Sequence, residues 1–207
     1  MHAGTGTYPE TRDLRVIFVG DSTVAGVGDP AGQGWVGRAV AGAFAAGVPL
    51  TAYNLGVRRD TSADVLARWR SEFQARLAPG ADCRVVFSFG TNDATIEHGA
   101  RRVPEAQSLT NLAHAIDQAA ALALPTLIVG PAPVEEPAHR DRIVALSAAF
   151  ARVAAERGVP YLEVVGALSQ DPTWTREARE GDGAHPASGG YSLLAGLVMK
   201  RWLRWLA

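Results

Sequence analysis

A continuous apolar run leads directly into a small polar turn in the stretch Val16-Ile17-Phe18-Val19-Gly20-Asp21-Ser22. A short run of β-branched and aromatic residues followed by glycine is typical of a buried strand that ends in a tight turn. Such a turn presents its serine beyond the carboxyl end of a strand, where a nucleophile is accessible to substrate. The stretch therefore predicts the first strand of the fold and a candidate reactive residue, Ser22.

Apolar segments like this one recur along the chain, with helical periodicity between them. The strand candidates are 15–20, 50–55, 84–89, 126–130 and 160–164. Continuous apolar strands that alternate with helices predict a parallel sheet covered on both faces, and right-handed crossovers then give a three-layer α/β/α sandwich. We expect a single α/β domain over residues 1–207, with a five-stranded parallel sheet and a flexible segment at 1–13.

Three of the predicted helices have recognisable ends. Thr61-Ser62-Ala63-Asp64 has the form of a capping box and precedes apolar residues at helical spacing. Pro104 suits the first turn of a second helix, and Gly158 followed by Pro160 predicts the end of a third.

Composition limits the classes of function. The chain has 207 residues and a formal net charge of −1, so no overall field favours nucleic acid or an anionic membrane. Its one cysteine, Cys83, excludes an intrachain disulfide and a multi-cysteine zinc site. The N-terminus lacks the pattern of a signal peptide, and no apolar run approaches the ~20 residues that span a bilayer. We expect a cytoplasmic protein without stable membrane insertion, and the oligomeric state stays open.

A second polar motif lies near the C-terminus, as Asp182-Gly183-Ala184-His185-Pro186. With Ser22 as nucleophile, His185 as general base and Asp182 as its orienting partner, the two motifs can form a catalytic triad. Each motif also has a simpler interpretation, because serine often caps helices and Asp and His are frequent in loops.

Two further strand ends can supply the donors that stabilise an oxyanion. Gly56 follows Asn54-Leu55 and can offer its backbone N–H, and Asn92, within Gly90-Thr91-Asn92-Asp93, can offer a side-chain amide. Taken separately, Gly56 is a turn glycine and Asn92 a turn residue. Together with Ser22 and His185 they predict an acyl-transfer site.

These four blocks resemble those of the SGNH hydrolase superfamily, the GDSL-type esterases and lipases, over nearly the whole chain. The resemblance implies a flavodoxin-like fold, Ser22 as nucleophile, His185 as base and Asp182 as its partner. It also implies oxyanion donors from the Ser22 N–H, the Gly56 N–H and the Asn92 side chain. One departure is Thr23, which follows Gly-Asp-Ser where the name-giving motif has leucine.

The surroundings of the site are less specific. Val134 and Glu135 follow the fourth strand and are candidate substrate contacts, although a solvated loop is the simpler interpretation. Trp174 is a candidate pocket wall or a residue that covers the core. Arg58 and Arg59, after Gly56, can meet an anionic substrate group, although solvated surface is the simpler interpretation. The glycine-rich stretch from Gly26 to Gly34 lacks the context of a dinucleotide site and predicts a mobile rim loop.

We therefore expect a serine hydrolase that cleaves carboxylic esters of short or medium acyl chains through a covalent acyl-enzyme. No cofactor and no metal are expected, since the histidines lack clustered ligand spacing. A thioesterase, a carbohydrate deacetylase and a catalytically silent small-molecule binding domain stay as alternatives.

Overall fold

The computed structural model describes residues 12–207, whose strands form one main sheet and one small hairpin. In chain order the strands are β1 Leu14–Gly20, β2 Thr51–Gly56, β3 Asp82–Ser88, β4 Ile96–Glu97, β5 Ala100–Arg101, β6 Thr126–Val129 and β7 Tyr161–Leu162. The main sheet has the order β2-β1-β3-β6-β7 and every pairing in it is parallel. The five predicted strands are thereby confirmed, and the antiparallel hairpin β4–β5 is an addition that the apolar pattern did not predict.

Helices cover both faces of the sheet. They are α1 Ser22–Ala25, α2 Gly34–Ala45, α3 Ser62–Gln74, α4 Glu105–Ala121, α5 Pro137–Glu156, α6 Val165–Gln170, α7 Pro172–Glu180 and α8 Ser188–Leu206. The Thr61 capping box is present at the start of α3. Pro104 is the residue before α4 rather than a member of its first turn. Gly158, with φ +66°, follows the end of α5 as predicted.

The continuous apolar run of β1 is explained by the two layers that it separates. Val16 and Phe18 point into a core shared with α2 and α8, where Phe18 contacts Trp35 and Trp202. Ile17 and Val19 point into the opposite core, which contains residues of α3, α4 and α5. Alternate residues of a strand face opposite sides, so a strand buried on both sides needs no polar positions.

The sheet order places a topological switch point beside β1, because the chain moves to β2 on one side and then to β3 on the other. In open α/β sheets, ligands bind beyond the carboxyl ends of the strands at such a point. Ser22 is the second residue after the end of β1, so the fold places it there.

The predicted flexible segment 1–13 lies outside the described residues up to position 11. The two positions that are described are held: Arg12 donates to the Asp82 carboxylate at 2.7 Å and the Asp13 carbonyl accepts from the Asp82 N–H at 2.9 Å. Within residues 12–207, every helix is too short or too polar to cross a membrane.

Candidate active site

Ser22, His185 and Asp182 form a continuous hydrogen-bonded row. His185 Nε2 lies 2.7 Å from Ser22 Oγ, and His185 Nδ1 lies 2.7 Å from Asp182 Oδ2. The row requires the tautomer in which Nδ1–H donates to the carboxylate and Nε2 accepts from the serine hydroxyl. Ser22 is buried and the His185 side chain is 13% exposed, so water competes little for the bond between them, whereas the Asp182 side chain is 50% exposed and its bond to His185 lies at the surface.

Local sequence explains how Ser22 is presented. Asp21 is the N-cap of α1 and accepts from the Thr23 N–H at 2.9 Å, which places Ser22 at the first helical position. The simpler interpretation of Ser22 as the capping residue is therefore wrong. Gly20 is required for close packing, because a Cβ there would lie 1.9 Å from the Ser88 carbonyl oxygen. The strand can thus end in contact with β3 and turn at once into the nucleophile.

The base and its partner come from one short loop. Asp182 Oδ1 accepts from the backbone N–H groups of Ala184 at 3.0 Å and His185 at 2.9 Å, while Oδ2 faces the imidazole. Burial of Asp182 opposes its ionisation, but the hydrogen bonds from the His185 ring and from these N–H groups outweigh burial and lower its pKa to about 2. Asp182 is therefore ionised at neutral pH and can stabilise an imidazolium.

Two of the three predicted oxyanion donors are available. The Ser22 N–H lies at the start of α1 and has no acceptor within residues 12–207, as is usual for the first N–H groups of a helix. Asn92 donates one amide hydrogen to the Asp60 carbonyl at 2.9 Å, which orients the side chain, and its second amide hydrogen has no acceptor among residues 12–207.

Gly56 does not meet the expectation of an oxyanion donor. Its N–H donates to Asn54 Oδ1 at 3.0 Å, so the donor is already used inside β2. A Cβ at Gly56 would lie 2.2 Å from the Ala25 nitrogen and 2.8 Å from the Asp21 carbonyl oxygen. The glycine is explained by this close packing beneath α1, which the sequence pattern could not distinguish from a donor role.

Arg59 is a site residue whose backbone the sequence did not single out. It has a left-handed backbone with φ +68°, which is rare for a residue with a side chain. Its carbonyl accepts from Arg102 Nη1 at 2.9 Å, and the next carbonyl, of Asp60, accepts from Asn92. No acceptor for the Arg59 N–H is found in the described part of the chain. A strained residue with an unused N–H beside Asn92 is a candidate for the donor that Gly56 does not supply.

A cleft of about 450 Å³ adjoins Asn92 and the triad loop. Six of its lining residues are ionisable side chains of the acidic or basic type: Arg59, Glu97, Arg102, Glu135, Glu136 and Asp182. Hydrogen-bonding groups are added by Thr91, Thr95 and His139, whereas Val134 and Ala184 are its aliphatic residues. The cleft is therefore lined mainly by charged and hydrogen-bonding side chains.

Comparison with known proteins identifies the family of this chain. Residues 18–193 match the model of the GDSL-like Lipase/Acylhydrolase family. The chain belongs to this family. A search of curated proteins finds no match.

Solved structures of several hydrolases are similar to this one. A lipase/acylhydrolase from Enterococcus faecalis is 26% identical with a TM-score of 0.77, and the match covers 94% of this chain and 97% of that chain. The protein TesA is 25% identical with a TM-score of 0.75, over 93% of this chain and 99% of that one. A catalytic mutant of an acetylxylan esterase from Geobacillus stearothermophilus shares the fold at 17% identity and TM-score 0.76, over 94% and 96%.

Two of the three predicted substrate contacts line the cleft of this GDSL-family hydrolase. Val134 is buried at its edge, and Glu135 is paired with Arg179 at 2.8 Å. The Glu135 N–H also donates to the Gly183 carbonyl at 2.7 Å, so this loop supports the loop that carries Asp182 and His185. Both residues stay candidates for substrate contact.

Trp174 is a core residue of the hydrolase rather than a pocket wall. It is 1% exposed, packs edge-on against Tyr191 and donates its indole N–H to the Pro133 carbonyl at 3.2 Å. Asp171 caps α7 and Pro172 is its first residue, so Trp174 lies in the first turn with its ring directed inward. The pair Asp171-Pro172 is typical of a helix start, and it would have placed Trp174 in the first turn of a helix rather than in a loop over the site.

The remaining titratable groups do not assemble a metal site. Among the described residues, no group of three or more His, Cys, Asp or Glu side chains could hold a metal ion. His139 lies in the cleft, where its Nε2 is 2.8 Å from the Thr91 carbonyl oxygen. Burial lowers the pKa of His139, and this bond to the residue before Asn92 opposes the shift only in part.

Proposed function

We propose that this GDSL-family hydrolase cleaves small-molecule carboxylic esters through a covalent acyl-enzyme on Ser22. The observation that carries the proposal is the hydrogen-bonded row from Ser22 Oγ through His185 to Asp182, with 2.7 Å at each step. Nucleophile, base and orienting carboxylate within hydrogen-bond reach are what acyl transfer requires.

In the acylation step, Ser22 Oγ attacks the ester carbonyl carbon while His185 Nε2 takes the hydroxyl proton. Asp182, ionised and bonded to Nδ1–H, stabilises the imidazolium that forms. The tetrahedral intermediate then collapses: the bond to the alcohol oxygen breaks, and His185 returns the proton to that leaving group. Water repeats the sequence on the acyl-enzyme, which releases the carboxylic acid and restores Ser22.

The negative charge that develops on the carbonyl oxygen needs preorganised donors. We assign this role to the Ser22 N–H, the free amide hydrogen of Asn92 and the N–H of Arg59. The Asp60 carbonyl fixes the orientation of Asn92, and the left-handed backbone of Arg59 is the local cost of turning the chain at this point. Each donor of this kind is typically worth about 10²–10³ in kcat.

The polar cleft supports a short acyl chain and a polar alcohol among the substrates of this class. A long acyl chain laid along it would displace water from charged side chains without replacing their hydrogen bonds, which is unfavourable. The same surface, with Thr91, Thr95 and charged groups at its wall, favours a carbohydrate deacetylase as the second candidate. Hydroxyl groups of a sugar can use those donors and acceptors, whereas the thioester of a long acyl chain cannot.

A substrate panel tests the proposal. Initial rates are measured with p-nitrophenyl acetate, butyrate and dodecanoate, with acetylated xylo-oligosaccharides and with acetyl- and palmitoyl-thioesters, on wild type and Ser22→Ala. We expect the acetyl and butyryl esters to be turned over, the dodecanoate to be slower by at least tenfold, and Ser22→Ala to lose all of these activities. Unchanged turnover in Ser22→Ala would sink the nucleophile assignment. No turnover on any substrate would favour a silent binding domain.

A further inference from the structure

The loop that follows the nucleophile helix lies against the loop that carries the base. Gly28, in the segment 26–33, has φ +88°, and a Cβ there would be 3.0 Å from His185 Cβ and 2.9 Å from the Pro186 carbonyl oxygen. The segment 26–33, called the post-nucleophile loop here, is therefore in van der Waals contact with the catalytic histidine. Any displacement of this loop changes the space in which His185 sits.

Asp29 holds the post-nucleophile loop in its shape. Its carboxylate accepts from the backbone N–H groups of Ala31 at 3.1 Å, Gln33 at 3.1 Å and Gly34 at 2.8 Å. It is also paired with Arg38, and its side chain is 0% exposed. The bond from Arg38 holds the pKa of Asp29 far below its usual range, so the carboxylate is ionised at neutral pH. The expectation of a mobile rim loop is at odds with these bonds.

The same carboxylate reaches across to the base. Ser188, at the start of α8 and three residues after His185, donates its hydroxyl to Asp29 Oδ1 at 2.5 Å. A second bond joins the same segments, since the Tyr191 hydroxyl donates to the Val27 carbonyl at 2.6 Å. Ser22 and His185 are separated by 163 residues in the sequence, and these bonds link the segments that follow each of them.

We infer that Asp29 is a positioning residue for His185, which holds the base at hydrogen-bonding distance from Ser22 by joining the post-nucleophile loop to the start of α8. The inference rests on the proposed ester hydrolysis for its kinetic readout. Asn in place of Asp29 turns one acceptor oxygen into a donor, which then faces N–H or O–H groups that need an acceptor. The loop and α8 separate slightly, and a small misplacement of a catalytic group has a large effect on rate.

The kinetic test compares Asp29→Asn and Ser188→Ala with two matched variants far from the triad. Asp82→Asn changes a carboxylate bonded to arginines, and Ser147→Ala removes a buried hydroxyl bonded to Tyr161. With p-nitrophenyl acetate, we expect kcat to fall about 10–100-fold in Asp29→Asn and about 3–10-fold in Ser188→Ala, with KM within twofold. Both control variants should stay within twofold of wild type in kcat.

A double-variant comparison distinguishes positioning of His185 from a general structural role. In a His185→Ala background, Asp29→Asn and Ser188→Ala should change the residual rate less than twofold, because the group through which they act is gone. The inference would be overturned if Asp29→Asn and Ser188→Ala lowered the rate as strongly in the His185→Ala background as in the wild-type background. Full kcat in both single variants would also overturn it. If Asp29→Asn does not fold, Ser188→Ala decides the outcome, since it removes a single hydrogen bond.

A spectroscopic arm is independent of turnover. The Nδ1–H of His185, donated to Asp182, gives a far-downfield proton resonance in NMR spectra, identified by its loss in His185→Ala. We expect this resonance to shift and exchange faster with water in Asp29→Asn and Ser188→Ala, and to be unchanged in Asp82→Asn. An identical resonance in all four proteins contradicts the positioning role. If the protein does not turn over esters but its resonance shifts as expected, the proposed function fails while the positioning role of Asp29 stands.

Discussion

The triad and the neighbouring cleft differ in how their side chains are held. The His185 side chain is 13% exposed and bonded at both ring nitrogens, whereas Arg59 at the cleft wall has a 74% exposed side chain paired with the exposed Glu97. The bond between Ser22 and His185 is largely shielded from water and fixes the two reacting atoms, while exposed ion pairs contribute about 0–1 kcal/mol and rearrange readily. We propose that the triad determines whether the reaction occurs, and that the cleft determines which ester is preferred.

The largest expected contrast between the two regions is between two histidines. His185→Ala removes the base and should lower kcat by about 10⁴-fold or more. His139→Ala, in the cleft, removes the contacts of the ring with the Thr91 carbonyl and the Thr95 hydroxyl and should lower kcat by at most about tenfold. Steady-state rates with p-nitrophenyl acetate measure both. A loss in His139→Ala comparable to that in His185→Ala would show that His139 takes part in the chemical step and not only in binding.

Asn92 lies where the two regions meet. Asn92→Ala should lower kcat by about 10²–10³ with KM changed less than threefold, because its free amide hydrogen acts on the oxyanion. Separate kcat and KM values from full saturation curves are the measurement. An effect confined to KM would place Asn92 with the cleft and remove it from the oxyanion site.

Arg59 belongs to both regions, because its backbone N–H is assigned to the oxyanion site and its side chain lies at the cleft wall. Arg59→Gly retains the N–H and relieves the left-handed strain, so kcat on neutral esters should stay within twofold and stability should rise by about 1 kcal/mol. The KM for an ester that carries a carboxylate should rise by up to about fivefold, because the exposed cation is lost. Gly56→Ala is the contrasting variant and should destabilise the fold, since the added Cβ would lie 2.2 Å from the Ala25 nitrogen. A loss of kcat in Arg59→Gly would argue against the backbone assignment.

The smallest expected effect concerns stability rather than rate. Burial raises the pKa of Asp21 to about 7, well above its unfolded value near 3.8, although the Thr23 N–H favours the charged form. A raised folded pKa means that this group's stabilisation is present below pH ~4 and is lost as pH rises toward 7. Asp21→Asn keeps the acceptor for Thr23 without the buried charge.

The measurement for Asp21 is the melting temperature at two pH values. Asp21→Asn should melt about 3–6 °C above wild type at pH 8 and show a clearly smaller advantage at pH 4.5, where Asp21 is protonated in the folded state but already largely ionised in the unfolded state. An equal difference at both pH values would mean that the effect is not due to ionisation of Asp21.

The sequence predicted those parts of the molecule that depend on local patterns. The run Val16-Ile17-Phe18-Val19 predicts a strand buried on both faces, and Asp182-Gly183-Ala184-His185 places a base and its partner in one loop. The Thr61 capping box likewise depends on neighbours in sequence. Features of this kind require no knowledge of long-range packing.

What the sequence missed depends on contacts between distant segments or on backbone angles. The Gly56 N–H is used by Asn54, and the tight contact that requires glycine comes from α1, which the pattern at a strand end does not reveal. Arginine is not a residue expected at positive φ, so the Arg59 backbone carried no signal. Asp29 stood in a glycine-rich stretch, and its bond to Ser188 joins residues 159 positions apart.

The most direct test of the central claim is covalent labelling of the nucleophile. Wild type, Ser22→Ala and His185→Ala are incubated with a p-nitrophenyl alkylphosphonate, and p-nitrophenol release and protein mass are followed together. We predict one equivalent of p-nitrophenol per wild-type chain, one phosphonyl adduct on the peptide that contains Ser22, no adduct in Ser22→Ala and slow labelling in His185→Ala. An adduct on another residue, or ester turnover by a chain whose Ser22 stays unlabelled, would contradict the account.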